Sequence, residues 1–242
     1  MAKPAPQSRR RRPSTPVGLA EVLRETGCRM RIDMCGECQE CVGRCPSAGL
    51  NNGDPRRLVT LALLGRDEEV LAHPWLWNCT LCARCVQACP MRADVPALVR
   101  AARGRLPEDR RPEALARTCR MHVETGNNTG IDQAGWLETL EWMESELREE
   151  PGFGDFRVPV GVTGARVFLN QNSKEPQADP YGMWPLWKIL HLAGESWTYP
   201  EANWEATNYC MFLGDDAGWE ATLRRQVEEV HGLGCSVLAN TE

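Results

Sequence analysis

Eight of the twelve cysteines in this chain repeat one pattern, Cys35-x2-Cys38-x2-Cys41-x3-Cys45-Pro46 and Cys79-x2-Cys82-x2-Cys85-x3-Cys89-Pro90. This is the spacing that wraps thiolates around cubane iron–sulfur clusters. In such a run the first three cysteines reach three irons of one cube, and the fourth, set off by a longer spacer and a proline, points at the other cube. The pattern therefore assigns Cys35, Cys38, Cys41 and Cys89 to one 4Fe–4S cluster and Cys79, Cys82, Cys85 and Cys45 to a second. Two neighbouring clusters tied to both runs make electron transfer the expected chemistry. Tandem Cys-x2-Cys pairs also suit tetrahedral zinc, which however needs four ligands and no following proline. A disulfide framework is disfavoured, because nothing at the N-terminus resembles a secretory signal and the cysteines are expected to stay reduced.

Charged side chains beside the ligands would tune such clusters if they face them. Glu37 and Glu40 lie inside the first run, and Arg44 and Arg84 adjoin the ligands; carboxylates would lower one potential and guanidiniums raise the other. The competing reading has all four side chains in water. The remaining cysteines, Cys28, Cys119, Cys210 and Cys235, read as small buried apolar residues or surface thiols. A place for Cys119 near a cluster is the next choice, since His122 lies close on the same helix. His73, His122, His191 and His231 read as structural, because no pair of them has ligand spacing.

The elements that must position the ligands are mostly helical. Asp54-Pro55 caps a helix carrying Leu58, Leu61, Ala62 and Leu64 before Gly65 stops it, and a short helix over 67–71 leads into His73-Pro74-Trp75-Leu76-Trp77. Residues 95–103 form a helix that ends at Gly104. Beyond Pro112 one helix aligns Leu115, Cys119 and His122, a loop follows over 126–130, and a longer amphipathic helix lines up Trp136, Leu140, Met143 and Leu147. Glycines and prolines in 150–164 suggest a linker and a domain boundary. Then the period changes: strands over 165–169, 196–199 and 235–239 alternate with helices over 183–192 and 217–231, the last with Trp219, Leu223, Val227 and Val230 as its buried stripe. Alternation of this kind builds a parallel sheet in an α/β layer. The expected fold is α+β: a basic tail over 1–16, a mainly α-helical, ferredoxin-like dicluster domain over 17–110, a helical extension and linker over 111–160, and a partial α/β domain over 161–242.

The 242 residues carry a formal charge of −5, which does not indicate a nucleic-acid partner. No apolar run approaches the ~18 residues that cross a bilayer; the best covers 58–64. The first sixteen residues hold almost nothing to bury, so the run from Arg9 to Arg12 reads as a solvated tail, with a basic arm that touches anionic lipid as the sharper option. A twin-arginine export signal lacks its apolar segment. The expected location is cytoplasmic, with any membrane association made through a partner.

The paired runs, the helical insertion ending in Trp77-Asn78-Cys79 and the helix after them resemble the C-type iron–sulfur protein of heterodisulfide reductase and the N-terminal half of its D-type fusions. The segments from Leu169 to Glu175, Leu192 to Thr198 and Glu205 to Gly214 look like the K subunit of the Dsr membrane complex. The resemblance implies an iron–sulfur subunit that passes electrons from a membrane cytochrome b subunit oxidising quinol, or from another donor, to a site that reduces a disulfide or trisulfide. It implies heterodisulfide-reductase-like partner subunits, and a small thiol/disulfide protein or cofactor as substrate. The alternative is a stand-alone two-cluster carrier without catalysis.

In that family a third, catalytic cluster is held by cysteines in a turn immediately after the strand corresponding to Ser236–Ala239. This sequence stops at Asn240-Thr241-Glu242, so those ligands are expected only in a continuation. A UGA codon recoded as selenocysteine, a frameshift or a split subunit would each produce this end. The expectation that the chain is incomplete also has a physical basis, because a parallel sheet needs both faces covered.

Overall fold

The computed structural model describes residues 18–26, 35 and 38–241. Cys28, Glu37 and the N-terminal tail with its arginines lie outside the described residues. The chain divides into two compact units, Met1–Arg105 and Leu106–Glu242.

The first unit is helical: α1 (Leu19–Thr26), α2 (Glu40–Gly43), α3 (Pro55–Leu63), α4 (Asp67–Ala72), α5 (Arg84–Ala88) and α6 (Val95–Arg105). Asp54 caps α3 by accepting from Arg57 N at 2.9 Å, with Pro55 in the first turn where its missing N–H costs nothing. The apolar spacing of α3 buries Leu58, Val59, Leu61 and Ala62, and α1 packs against both α3 and α6. α6 continues through Gly104, where the sequence suggests a stop, and its last residue, Arg105, reaches Asp67 at 3.1 Å. Between α4 and α5 the 3-10 turn Pro74–Trp77 buries Trp75 completely, and its indole Nε1 donates to Ser47 O at 2.7 Å. This tie joins the end of the first cysteine run to the approach of the second.

The second unit begins with α7 (Glu113–Thr125) and α8 (Gln133–Leu147), followed by β1 (Val167–Asn170), α9 (Lys174–Ala178), α10 (Trp184–Leu192), β2 (Trp197–Thr198), α11 (Tyr209–Leu213), α12 (Asp216–Gly232) and β3 (Val237–Asn240). The three strands form a parallel sheet in the order β2-β1-β3, with Val167 opposite both Trp197 and Val237. β1 is central and wholly buried. The stripe Trp136, Leu140, Met143 and Leu147 of α8 enters the same core as Val167, Leu169, Trp187, Tyr199 and Trp204. Trp136 stacks on Trp204 at 4.3 Å between centroids and donates through Nε1 to Pro200 O at 3.1 Å. The division at Arg105 thus differs from the boundary read in 150–164: the apolar stripe of α8 has its burial partners on the sheet, so helix and sheet form one unit.

α12 also differs from its sequence reading. Leu223 and Val227 are each 39% exposed, while Gly218, Thr222 and Gln226 are the buried positions. The buried face is polar because it meets backbone and amide groups: Gln226 Nε2 donates to Glu205 O at 2.6 Å, and Asn208 Nδ2 donates to Thr222 Oγ1 at 2.5 Å. A stripe chosen for hydrophobicity misses a face whose burial is offset by hydrogen bonds. Among the described residues no helix is long and apolar enough to cross a membrane.

Candidate metal centres

The two cysteine runs fold alike. Gln39 and Ala83, each directly after the second cysteine of its run, adopt left-handed backbone (φ 57° for both) and start the short helices α2 and α5 that carry Cys41 and Cys85. A left-handed residue reverses the chain sharply, so cysteines three apart turn inward rather than spread along a strand. α2 and α5 pack against each other, which brings the two runs together.

Two cavities result. One, of about 150 Å³, is lined by Cys35, Cys38, Cys41 and Cys89 together with Val59, Met91, Ala93 and Val95. The other, narrower, is lined by Cys45, Cys79, Cys82 and Cys85 with Pro46, Trp75 and Arg84. Each cavity takes three thiols from one run and the fourth from the other. The electrostatics carry the same cross-run coupling. Burial raises the Cys35 thiol pKa, and Cys89 raises it further. Cys41 is pushed up to about 11 by burial first and then by Cys35 and Cys89. Cys85 is pushed up to about 12 by burial and then by Cys79. Cys79 is raised by burial, whereas Cys82, near the surface, is lowered chiefly by the Arg84 N–H that donates to it. Ala93 N donates to Cys89 Sγ at 3.4 Å.

Four soft sulfur donors around each apolar cavity suit a 4Fe–4S cubane, whose irons take thiolate ligands. Such a set disfavours hard cations, which take oxygen donors.

Of the side chains read as tuning groups, Glu40, Arg44 and Arg84 are exposed. The cation that sequence reasoning missed is Arg103 on α6, only 2% exposed. Its guanidinium donates through Nε and Nη2 to Leu76 O at 3.1 and 2.8 Å, and through Nη2 to Cys79 O at 2.6 Å. It also lies over the Trp77 ring at 4.8 Å. Burial lowers its pKa to about 10, so it stays charged at neutral pH. Its place in the helix after the second run was the one available signal, and an Arg there, between Arg100 and Arg105, reads as surface.

The expectations for Cys119 and Cys210 are corrected. They are not solitary thiols but are joined to each other by a disulfide across 91 residues of sequence. Cys235 is a buried free thiol beside Ala165 and Phe168. The histidines hold local structure: His73 Nδ1 accepts from Trp75 N at 3.2 Å, and His191 Nε2 lies 3.6 Å from Asp155 Oδ1. His122 is buried on α7, and His231 is exposed.

Residues 8–93 match the family described as the 4Fe-4S dicluster domain. The chain is similar to the C-type subunit of the H(2):CoB-CoM heterodisulfide,ferredoxin reductase of Methanothermobacter marburgensis, at 32% identity over 30% of this chain and 39% of that protein. It is 27% identical to a C-type iron-sulfur subunit of the CoB--CoM heterodisulfide reductase of Methanocaldococcus jannaschii, over 49% of this chain and 69% of that protein. The Hdr-like menaquinol oxidoreductase iron-sulfur subunit of Archaeoglobus profundus is 25% identical over 62% of this chain and 31% of its own length. The chain thus spans about two fifths of the relative from Methanothermobacter marburgensis. No solved structure matches. Residues 8–93 carry a 4Fe-4S dicluster domain, and the curated homologues of this chain are C-type subunits of heterodisulfide reductase and an Hdr-like iron-sulfur subunit.

Proposed function

We propose that this chain is an iron–sulfur electron-transfer subunit of a heterodisulfide-reductase-like complex. It would receive electrons from a quinol-oxidising cytochrome b subunit or another donor and pass them toward a site that reduces a disulfide or trisulfide. The observation that carries this reading is the pair of four-thiol cavities, each built from both runs. Cys35, Cys38, Cys41 and Cys89 would hold one 4Fe–4S cluster, and Cys79, Cys82, Cys85 and Cys45 the second. When bound, each cluster supplies one-electron exchange at a potential set by its surroundings.

The chain's own residues prepare the sites in three ways. Burial and mutual repulsion keep Cys41 and Cys85 protonated at neutral pH, so ligation releases their protons and loading is favoured as pH rises. Val59, Ala93 and Val95 supply an apolar wall to the first cavity, which lowers the local dielectric. Arg103 holds the Cys79 carbonyl, which fixes where the second run begins. The similarity to the Hdr-like menaquinol oxidoreductase protein extends over 62% of this chain, more than the first unit alone provides. This supports reading residues 161–241 as part of a cysteine-rich-type α/β domain like that of the K subunit of the Dsr membrane complex.

Anaerobic reconstitution should load about eight iron and eight sulfide per chain. Cys89→Ser should then abolish the centre of the first run and leave that of the second, as resolved by EPR after reduction. Zinc without sulfide would overturn the reading. Loss of the second-run centre in the Cys89 variant would refute the crosswise ligation while leaving two clusters in place.

A further inference from the structure

The Cys119–Cys210 bond sits where three elements of the second unit meet. Cys119 lies on α7, Cys210 in the first turn of α11, and Asp215 and Gly218 at the start of α12. Both cysteines are buried, at 2% and 0% exposure. Gly218 leaves the room: a Cβ there would stand 2.8 Å from Asp215 Oδ2 and 3.0 Å from Cys210 Sγ.

Each sulfur also faces an acceptor that a bonded disulfide does not use. Cys119 Sγ lies 3.7 Å from Asp215 Oδ2, and Cys210 Sγ lies 3.4 Å from the Cys119 carbonyl oxygen. Were the bond broken, both new S–H groups would have an acceptor already within reach, so neither would be left as an unsatisfied buried donor. The Asp215 carboxylate is held in place independently, because its Oδ1 accepts from Gly218 N at 3.0 Å as the cap of α12. The negative charge beside Cys119 favours the thiol over the thiolate.

We propose that Cys119 and Cys210 form a reversible two-electron dithiol/disulfide couple that fastens α7 to α11. Reduction breaks the S–S bond and adds two electrons and two protons, one proton to each sulfur. The reductant is a dithiol, which gives up those electrons and protons and closes to its own cyclic disulfide. Exchange passes through opening of α11, a five-residue helix between Asn208 and Gly214, because a buried sulfur offers an incoming thiolate no direct approach. The oxidised form covalently holds this short helix; the reduced form holds it by packing and the weak hydrogen bond from Cys210 Sγ to the Cys119 carbonyl oxygen, while Cys119 turns to Asp215 at the start of α12. Neither cysteine of the couple belongs to the two cysteine runs of the first unit.

The test equilibrates the full, cluster-loaded chain anaerobically across ratios of reduced to oxidised dithiothreitol. Samples are quenched in acid, alkylated and read peptide by peptide by mass spectrometry. Cys119 and Cys210 should change together along one two-electron curve, and backbone protection over 209–213 should fall at least about tenfold in the reduced form. Asp215→Asn keeps the helix cap and weakens the acceptor at Cys119, so it should shift the couple toward the disulfide by about tenfold. Asp215→Ser, also a cap, serves if the Asn variant does not fold. The proposal is overturned if both thiols alkylate at every ratio, if the bond survives the most reducing mixture in native buffer, or if zinc occupies the pair. It is equally overturned if the folded Asp215 variant leaves the curve where it was.

Discussion

Arg103 places a fixed positive charge against the backbone of Cys79, held there by its bonds to the carbonyls of Leu76 and Cys79. A cation held in a low-dielectric site stabilises the more negative, reduced state of a neighbouring centre. Arg103→Met should therefore lower the midpoint potential of the centre in the Cys45/Cys79/Cys82/Cys85 cavity, reducing an electron's preference for it by about tenfold. The other centre should stay where it was. Arg103→Lys keeps the charge and should retain most of the potential, so a redox titration followed by EPR separates charge from packing. His122 acts in the second unit. Burial is the main cause that lowers its pKa to about 4 from an ordinary 6.5, with Arg225 adding to the effect. A depressed folded-state pKa contributes stability that is present above pH 6.5 and lost as pH falls toward 4. The size is on the order of 3 kcal/mol. His122→Gln should flatten that decline, as measured by urea unfolding of the second unit's tryptophan signal across this range.

At the scale of elements, the 3-10 turn Pro74–Trp77 connects the helical insertion to the second run, and Gly53 decides whether it fits. A Cβ on Gly53 would collide with the Trp75 side chain and stand 2.5 Å from His73 Cε1. Trp75 cannot move without losing its bond to Ser47 O, two residues past Cys45. Gly53→Ala should therefore cost about 2 kcal/mol by overpacking. It should also lower iron loading at the cavity lined by Cys45, with less effect on the other. Denaturant unfolding and iron analysis of the reconstituted variant check both parts.

For the molecule as a whole, the metal-site residues and the parallel sheet fall in different compact units. Ligand binding to the folded form stabilises it by mass action, and the eight ligands proposed from the two runs would tie residues 35–89 together. Stripping iron with a chelator should increase amide exchange across α2, α3, α5 and α6 by about tenfold or more, while β1 and α8 keep their protection. Hydrogen exchange with mass spectrometry on loaded and stripped protein reads both units at once. Equal loosening of β1 would contradict a separate second core.

The cysteine runs, the Asp54 cap, the α8 stripe and the alternation of strands and helices were legible because each is a local pattern. Ligand spacing, helix capping and apolar periodicity are set within a dozen residues. What only the tertiary structure decided depends on distance in sequence. Cys119 meets Cys210 across 91 residues, Arg103 finds its carbonyls 24 and 27 residues back, and the buried face of α12 is polar because the Glu205 carbonyl and Asn208 lie against it. A local pattern records what a residue prefers; a hydrogen bond or a disulfide with a remote partner reverses that preference, and only the folded chain brings the partner into place.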